Sequence, residues 1–217
     1  MSHYNGGLMN AFDMLRKEHR IIEQVLRCVD SICSKWYLKS TLDTSLARSA
    51  LVFLREFADG CHHHKEEALL FPQLEKHKSS KSTQLSRLLD EHRICRQLLG
   101  RMCRAIDRYD AGEHDAGDEF AALVSHYVPL LKRHIALEDQ DLFVIASEKL
   151  STTEMEGLQT QFVQLDHTSR FADEKYLKLA YHLTAQLGLP TPDFTDINTS
   201  ACHCLNFLKD MDRSAGH

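Results

Sequence analysis

The chain has 217 residues, 43% of them hydrophobic and 26% charged, with a formal net charge of -5. That length fits one domain, or one domain with an appendage, around a real core, and the scattered basic residues exclude a nucleic-acid footprint. No apolar run approaches the ~20 residues that cross a bilayer, and the start, Met1 to Gly7, lacks the cationic and apolar parts of a secretory signal.

Helical periodicity runs through almost the whole chain, interrupted by only four prolines and nine glycines. It predicts a first helix from about Met9 to Leu38, with Phe12, Leu15, His19, Ile22, Leu26 and Val29 on one stripe. After a polar break at Lys39 to Asp43, a second helix is expected from Thr44 to about His77, with Pro72 kinking or fraying its last turn. Lys78 to Lys81 reads as a loop, and a third helix follows from about Ser82 to Asp110. Ala111 to Asp115 is the next turn. A fourth helix runs from Gly117 to Lys149, bent near Pro129. Short loops between long helices make antiparallel neighbours, so residues 9–150 are expected to form an all-α, up-down-up-down four-helix bundle. Ser151-Thr152-Thr153-Glu154 has the form of an N-cap with an acid three residues on. It predicts a fifth helix over 151–187, packed on the bundle through Leu158, Phe162, Leu165, Tyr176, Leu179 and Leu183. Residues 188–217 read as a linker and a short tail helix, the latter from Ile197 to Met211.

Two short stretches repeat. Glu18-His19-Arg20-Ile21 returns 73 residues later as Glu91-His92-Arg93-Ile94. His62 and Glu66, ahead of Leu70-Phe71, return 72 residues later as His134 and Glu138, ahead of Leu142-Phe143. One two-helix unit therefore occurs twice, each copy with a lone His and a His-x-x-x-Glu. A spacing of four puts both side chains on one helix face, within reach of a shared ion. In an up-down bundle the starts of the first and third helices share an end with the finishes of the second and fourth. At 1.5 Å per residue, His19, His62, Glu66, His92, His134 and Glu138 all fall roughly 15–20 Å from that end. Repetition picked these six out, so their common depth is an independent test.

Four imidazoles and two carboxylates from four helices suit two iron ions, with the carboxylates as bridges. The expected cofactor is a non-haem di-iron centre with Glu66 and Glu138 between the ions and an oxo or hydroxo bridge beside them. Six protein groups cannot fill two octahedra, so positions remain for an exogenous ligand. Zinc or manganese occupancy stays open. The histidine triplet allows two registers, His62 with Glu66 or His63 with Glu67. His134 to Phe143 is nine residues, as is His62 to Phe71, which favours His62 and Glu66. His63 and Glu67 are then expected to orient ligands rather than bind metal.

Several other residues are candidates on weaker signals. Asp139 reads as an outer or solvated acid. Glu23 is either a bundle-facing acid or the ion-pair partner of Arg27, and Arg96, one turn after His92, is a possible partner for Glu23. Tyr127 lies on the His134 stripe and either lines the pocket or packs in the core. His64 and His126 are expected off the site. Seven cysteines without a Cys-x-x-Cys read as reduced thiols of a cytoplasmic protein. Cys202-His203-Cys204 lacks a fourth ligand for zinc.

Together these motifs resemble the hemerythrin-like (HHE cation-binding) family. The match consists of Glu18-His19, His62 to Glu67 running into Leu70-Phe71-Pro72, Glu91-His92, and His134 with Glu138-Asp139 running into Leu142-Phe143. The ferritin-like Glu-x-x-His is absent. The resemblance implies the same bundle and a metal site at the six residues above. The oxygen-carrying members place two histidines four apart on the third helix and end with an aspartate ligand. Here Arg96 follows His92, and Glu138 stands on the fourth helix, so the chain looks more like the four-His, two-Glu members. Those are associated with iron-centre repair after nitrosative stress, peroxide handling, or iron and oxygen sensing. The implied partner is dioxygen, peroxide or nitric oxide, not nucleic acid or membrane. Enzymatic turnover, and the choice between monomer and homodimer, stay open. The alternative reading is an iron-binding sensor, store or repair module without turnover.

Overall fold

The computed structural model describes residues 10–77, 82–168 and 173–190. Helix α1 (Ala11–Lys39) starts at Asn10, whose side chain accepts from the Phe12 and Asp13 amides while Asp13 accepts from the Asn10 amide. This reciprocal cap satisfies donors that the first turn leaves free. The helix stops at Ser40, which adopts a left-handed φ of 50° and gives its amide to the Trp36 carbonyl.

Helix α2 (44–76) is one rod of changing pitch. It begins as α-helix (Thr44–Phe53), widens to π-helix over Leu54–His63 and again over Glu66–Leu70, and ends as α-helix over Phe71–Lys76. Pro72 closely follows the Glu66–Leu70 stretch, and the rod continues past it to Lys76. Helix α3 (Ser82–Asp110) is α-helical throughout. Helix α4 (116–149) runs as α-helix over Ala116–Leu137, with Pro129 inside it, turns to π-helix over Glu138–Leu142, and closes as α-helix over Phe143–Lys149. In both repeat units the π stretch begins on the motif glutamate. The Phe71 amide bonds to the Glu66 carbonyl and the Phe143 amide to the Glu138 carbonyl, five residues back. Such wide turns concentrate at functional sites.

These four rods form the up-down-up-down bundle, with α3 against α4 and α1 against both α2 and α4. Ser151 caps α5 (Thr152–Thr168) through the reciprocal contacts with Glu154. Helix α6 (Asp173–Leu187) lies against α1 and α2. The expected fifth helix is thus present as two described stretches on the bundle. The expected helix at Ile197–Met211, and Cys202-His203-Cys204, lie outside the described residues. No described helix is long and apolar enough to cross a membrane.

The core divides into two apolar clusters. The smaller contains Phe12, Leu15, Leu70, Phe71, Leu142, Phe143, Leu158 and Phe162; the larger runs from Ile21 through Trp36, Phe57, Tyr127 and Tyr176. Along α1 the change from one to the other falls between Leu15 and Ile21, and buried Glu18 and His19 occupy that gap. A polar layer therefore crosses the bundle between two dry layers.

Gly117 shows how tightly α1 and α4 meet. A Cβ there would stand 2.5 Å from the Trp36 ring. That ring cannot swing away freely, because its Nε1 donates to Asp118 at 3.1 Å and its face meets Tyr109 edge-on at 5.7 Å. Gly117→Ala is expected to cost about 1–3 kcal/mol, read as a lowered melting temperature with the helical content retained.

Candidate metal centre

The four helices bring all six sequence-predicted groups together. His19, His62, His92 and His134 are at most 1% exposed, and Glu66 and Glu138 are fully buried. His19, His62, Glu66 and Glu138 form one set whose ligand atoms lie within 4.8 Å of one another; His63, Glu66, His92 and His134 form a second. Glu66 belongs to both. Its two oxygens lie 3.5 Å from His62 Nε2 and 3.5 Å from His92 Nε2. Glu138 faces the opposite pair, 3.3 Å from His19 Nε2 and 3.2 Å from His134 Nε2. Each carboxylate thus stands between one histidine of each repeat unit, the disposition of a bridge.

The outer face of each ring is held by an acid. Nδ1 of His19 donates to Asp139 at 2.9 Å, that of His62 to Glu18 at 2.8 Å, that of His92 to Glu67 at 2.7 Å and that of His134 to Glu91 at 2.9 Å. A proton committed to Nδ1 leaves the Nε2 lone pair directed inward, the tautomer a metal requires. The pattern obeys the repeat. Glu18 and Glu91 each serve the ring of the following helix, and Glu67 and Asp139 each serve the lone histidine. Phe71 stacks on His92 at 6.0 Å and Phe143 on His19 at 5.7 Å, the shared packing role that their register predicts.

All four oxygens of Glu66 and Glu138 are buried and make no hydrogen bond among the described residues. Buried acceptor oxygens without a hydrogen-bond donor are unfavourable, and this lack is the direct sign that the donor set fits cations. Protons do the neutralising in the metal-free protein. Burial, then the charges of Glu138 and Glu18, push Glu66 well above the carboxylate range. Burial acts the same way on Glu138, but the His134 and His19 imidazoles outweigh it and hold Glu138 well below that range. His134 rises to about 9 against its burial, through Glu138 and Glu91, while burial and the charge on His19 lower His62 to about 4. His92 and His134 face each other with Nε2 atoms 2.9 Å apart, an approach that a shared proton or a shared cation reconciles.

Burial opposes ionisation of Glu18, but the Lys65 ammonium and His62 hold it to about 2. The hydrogen bond from His134, helped by Arg87 against burial, holds Glu91 to about 2. Both folded values lie below the ordinary 4.5, so their stabilisation is present above about pH 4.5 and is lost as pH falls toward 2. The metal-free protein is therefore expected to unfold with acid in that window. Glu91→Gln should flatten the dependence, as read by circular dichroism.

Three residues stand where the sequence did not put them. His63 enters the second ligand set rather than remaining beside it. Arg96 pairs with Asp59 and Glu67, each at 2.6 Å, and not with Glu23. Glu23 in turn takes Arg20 at 3.0 Å, while Arg27 bonds to Gln24. Tyr127 is buried in the larger apolar cluster, and burial pushes its phenol well above its ordinary value. His64 and His126 are exposed. The described cysteines are free thiols, and burial pushes Cys33 and Cys95 up to about 12.

Sequence reasoning missed Lys65 and Asp166. Lys65 is fully buried, its Nζ bonded to Glu18 and 2.6 Å from Asp166 on α5. Glu18 also holds His62, so the tail helix reaches a candidate ligand through two side chains. A lysine amid three histidines and two glutamates was the available signal, since a buried ammonium needs acids around it.

Residues 10–146 match the model of the hemerythrin HHE cation binding domain. Uncharacterized proteins of Mycobacterium bovis and Mycobacterium tuberculosis are 23% identical over 154 residues, which is 70% of this chain and 60% of theirs. The chain thus spans about 60% of the length of these curated relatives. No solved structure matches it.

Proposed function

Because the chain belongs to the hemerythrin HHE cation-binding family, we propose that it is a non-haem di-iron protein that meets dioxygen, peroxide or nitric oxide in oxidative or nitrosative stress. His19 and His62 would hold one ion and His92 and His134 the other, with Glu66 and Glu138 shared between them. The observation that carries this reading is the pair of buried carboxylates with four unbonded oxygens, each between imidazoles from both repeat units. The family supplies the cation, and the mixed imidazole and carboxylate donors suit iron. A bound iron pair supplies redox equivalents and exchangeable positions for a small ligand. The protein's own part is to fix ring tautomers through Asp139, Glu18, Glu67 and Glu91, and to keep bulk water out with the apolar layers on either side.

Metal analysis and an optical spectrum of freshly purified protein test the reading. Two irons per chain with near-ultraviolet absorption are expected; two zinc ions, colourless, would overturn it. The tail contact through Asp166, Lys65 and Glu18 favours a second reading, an iron-binding sensor or store without turnover. Rapid consumption of many equivalents of peroxide or nitric oxide supports the first reading. A ligand-dependent change in tail exposure without consumption supports the second.

A further inference from the structure

The two repeat units are packed differently at the end of the bundle beyond the site. The internal offsets match Leu85 of α3 with Phe12 of α1, and Ala146 of α4 with Leu74 of α2. In the first unit Phe12 stacks on Phe143, with ring centroids 5.2 Å apart. Helix α5 lies against α1 and the wide turn of α2, and adds Leu158 and Phe162 to the same apolar cluster. In the second unit the smaller side chains leave a cleft between the ends of α2 and α4 and the start of α3, lined by Leu74, Leu85, Leu142 and Ala146 with Gln84 beside them. The centre of a water-sized body can range over about 10 Å³ there, room for about one such molecule.

The cleft lies on the way to the site. The buried stripe of α3 runs Leu85, Leu88, His92, and that of α4 runs Ala146, Leu142, Glu138. At 1.5 Å per residue the cleft is about 10 Å along the axis from the metal-binding groups. Each stripe puts a single leucine in between, Leu88 on α3 and Leu142 on α4. Packed leucines still hop between rotamers, so this pair can pass a small body without opening the bundle. Gln84 Oε1 is buried with no hydrogen-bond partner among the described residues. A polar molecule therefore meets one acceptor at the cleft and none at the leucines, and giving up its bonds to water is unfavourable. A diatomic has few such bonds to lose.

We propose that this cleft is the way in for a neutral diatomic, dioxygen or nitric oxide, which lodges between α2, α3 and α4 and passes Leu88 and Leu142 to reach the site from the second unit's end. Phe12 and α5 close the corresponding place in the first unit, so entry is one-sided. The route selects against peroxide, which would have to cross the leucine pair without hydrogen bonds. The proposal rests on the di-iron reading above and narrows its choice of ligand.

Leu85→Phe and Ala146→Leu test it, because each installs the residue that the other unit carries at that place. Xenon, an apolar probe of dry cavities, should give the full-length protein as purified a saturable xenon chemical shift, and Leu85→Phe should abolish it. In the iron-loaded, reduced protein, stopped-flow mixing with nitric oxide reads the passage itself. Both variants should slow binding and release alike by about tenfold or more, the effect of overpacking a passage at its narrow point, with the equilibrium affinity, metal content and helical content of the parent. Leu85→Val, which widens the cleft by one methylene, should bind nitric oxide faster, and Val144→Leu, at a half-exposed position of α4, should match the parent. Unchanged nitric oxide rates in the two plugged variants and in Leu85→Val overturn the route while the di-iron reading stands. A parent without a saturable xenon shift overturns the cleft as a binding place. A parent whose iron takes up no nitric oxide and no dioxygen overturns the di-iron reading and the route with it.

Discussion

On the proposed two-ion reading, Glu66→Ala and Glu138→Ala are each expected to leave one metal ion or none. Each carboxylate stands between a histidine of one repeat unit and a histidine of the other, so its removal takes an anionic donor from both positions. A second cation would then approach the first with half of the bridging charge gone. Metal analysis and the near-ultraviolet spectrum read the outcome, and either variant keeping two irons and the parent spectrum would show that the bridging assignment is wrong. The metal-free proteins should part ways. Glu66 is a buried acid, held neutral, with no hydrogen bond. Replacing it by the apolar Glu66→Leu removes an unsatisfied group worth about 1–3 kcal/mol, so the metal-free variant should melt higher than the metal-free parent. Glu138 is ionised between His19 and His134, and Glu138→Leu leaves those rings without their acid, so it should melt lower.

Truncation after Lys149 should have the largest effect on stability. Helices α5 and α6 bury Leu158, Phe162, Tyr176, Leu177, Leu183 and Leu187 against both apolar clusters. At ~1.5–3 kcal/mol for each large side chain, the gross loss is roughly 10 kcal/mol or more, on the scale of a domain's whole net stability. The ordering entropy of the removed helices returns part of it. The bundle also loses the cover over Phe53 and Phe57, whose rings meet Tyr176 at 6.2 and 5.7 Å. Aggregation, or a melting temperature lower by at least about 10 °C, is expected. A truncated chain as soluble and stable as the parent would make the tail an independent appendage.

Much of this was legible because the two units repeat. The constant offset picked out His19, His62, Glu66, His92, His134 and Glu138 without any structure, and helical rise alone put them at one depth. The register argument from Phe71 and Phe143 gave two equivalent ring stacks, which the bundle contains. The hidden parts have physical causes. The register to Phe71 puts His63 beside the site, and its ring is in fact buried against His92 and His134; α2 is π-helical there, and no residue type in Leu54–His63 announces that pitch. Glu18 and Glu91 were visible beside their histidines, yet each serves a ring on the next helix, a cross-helix pairing that linear spacing does not show. The Lys65–Asp166 contact spans a hundred residues and leaves no periodic trace. Arg96 took Asp59 and Glu67 because two acids from α2 surround one guanidinium there, more than Glu23 on α1 offers.

The link from Asp166 through Lys65 and Glu18 to His62 makes the far end of the chain a thermodynamic party to metal binding. Linkage is reciprocal: whatever affinity the ions gain from a docked α5, the docking of α5 gains from the ions. Loss of a bound cation would then loosen a helix on the outside of the bundle, and a protein that grips that helix would change how tightly the cation is held. Hydrogen exchange along 152–168 would read the occupancy of the metal site on a surface that contains none of the candidate ligands.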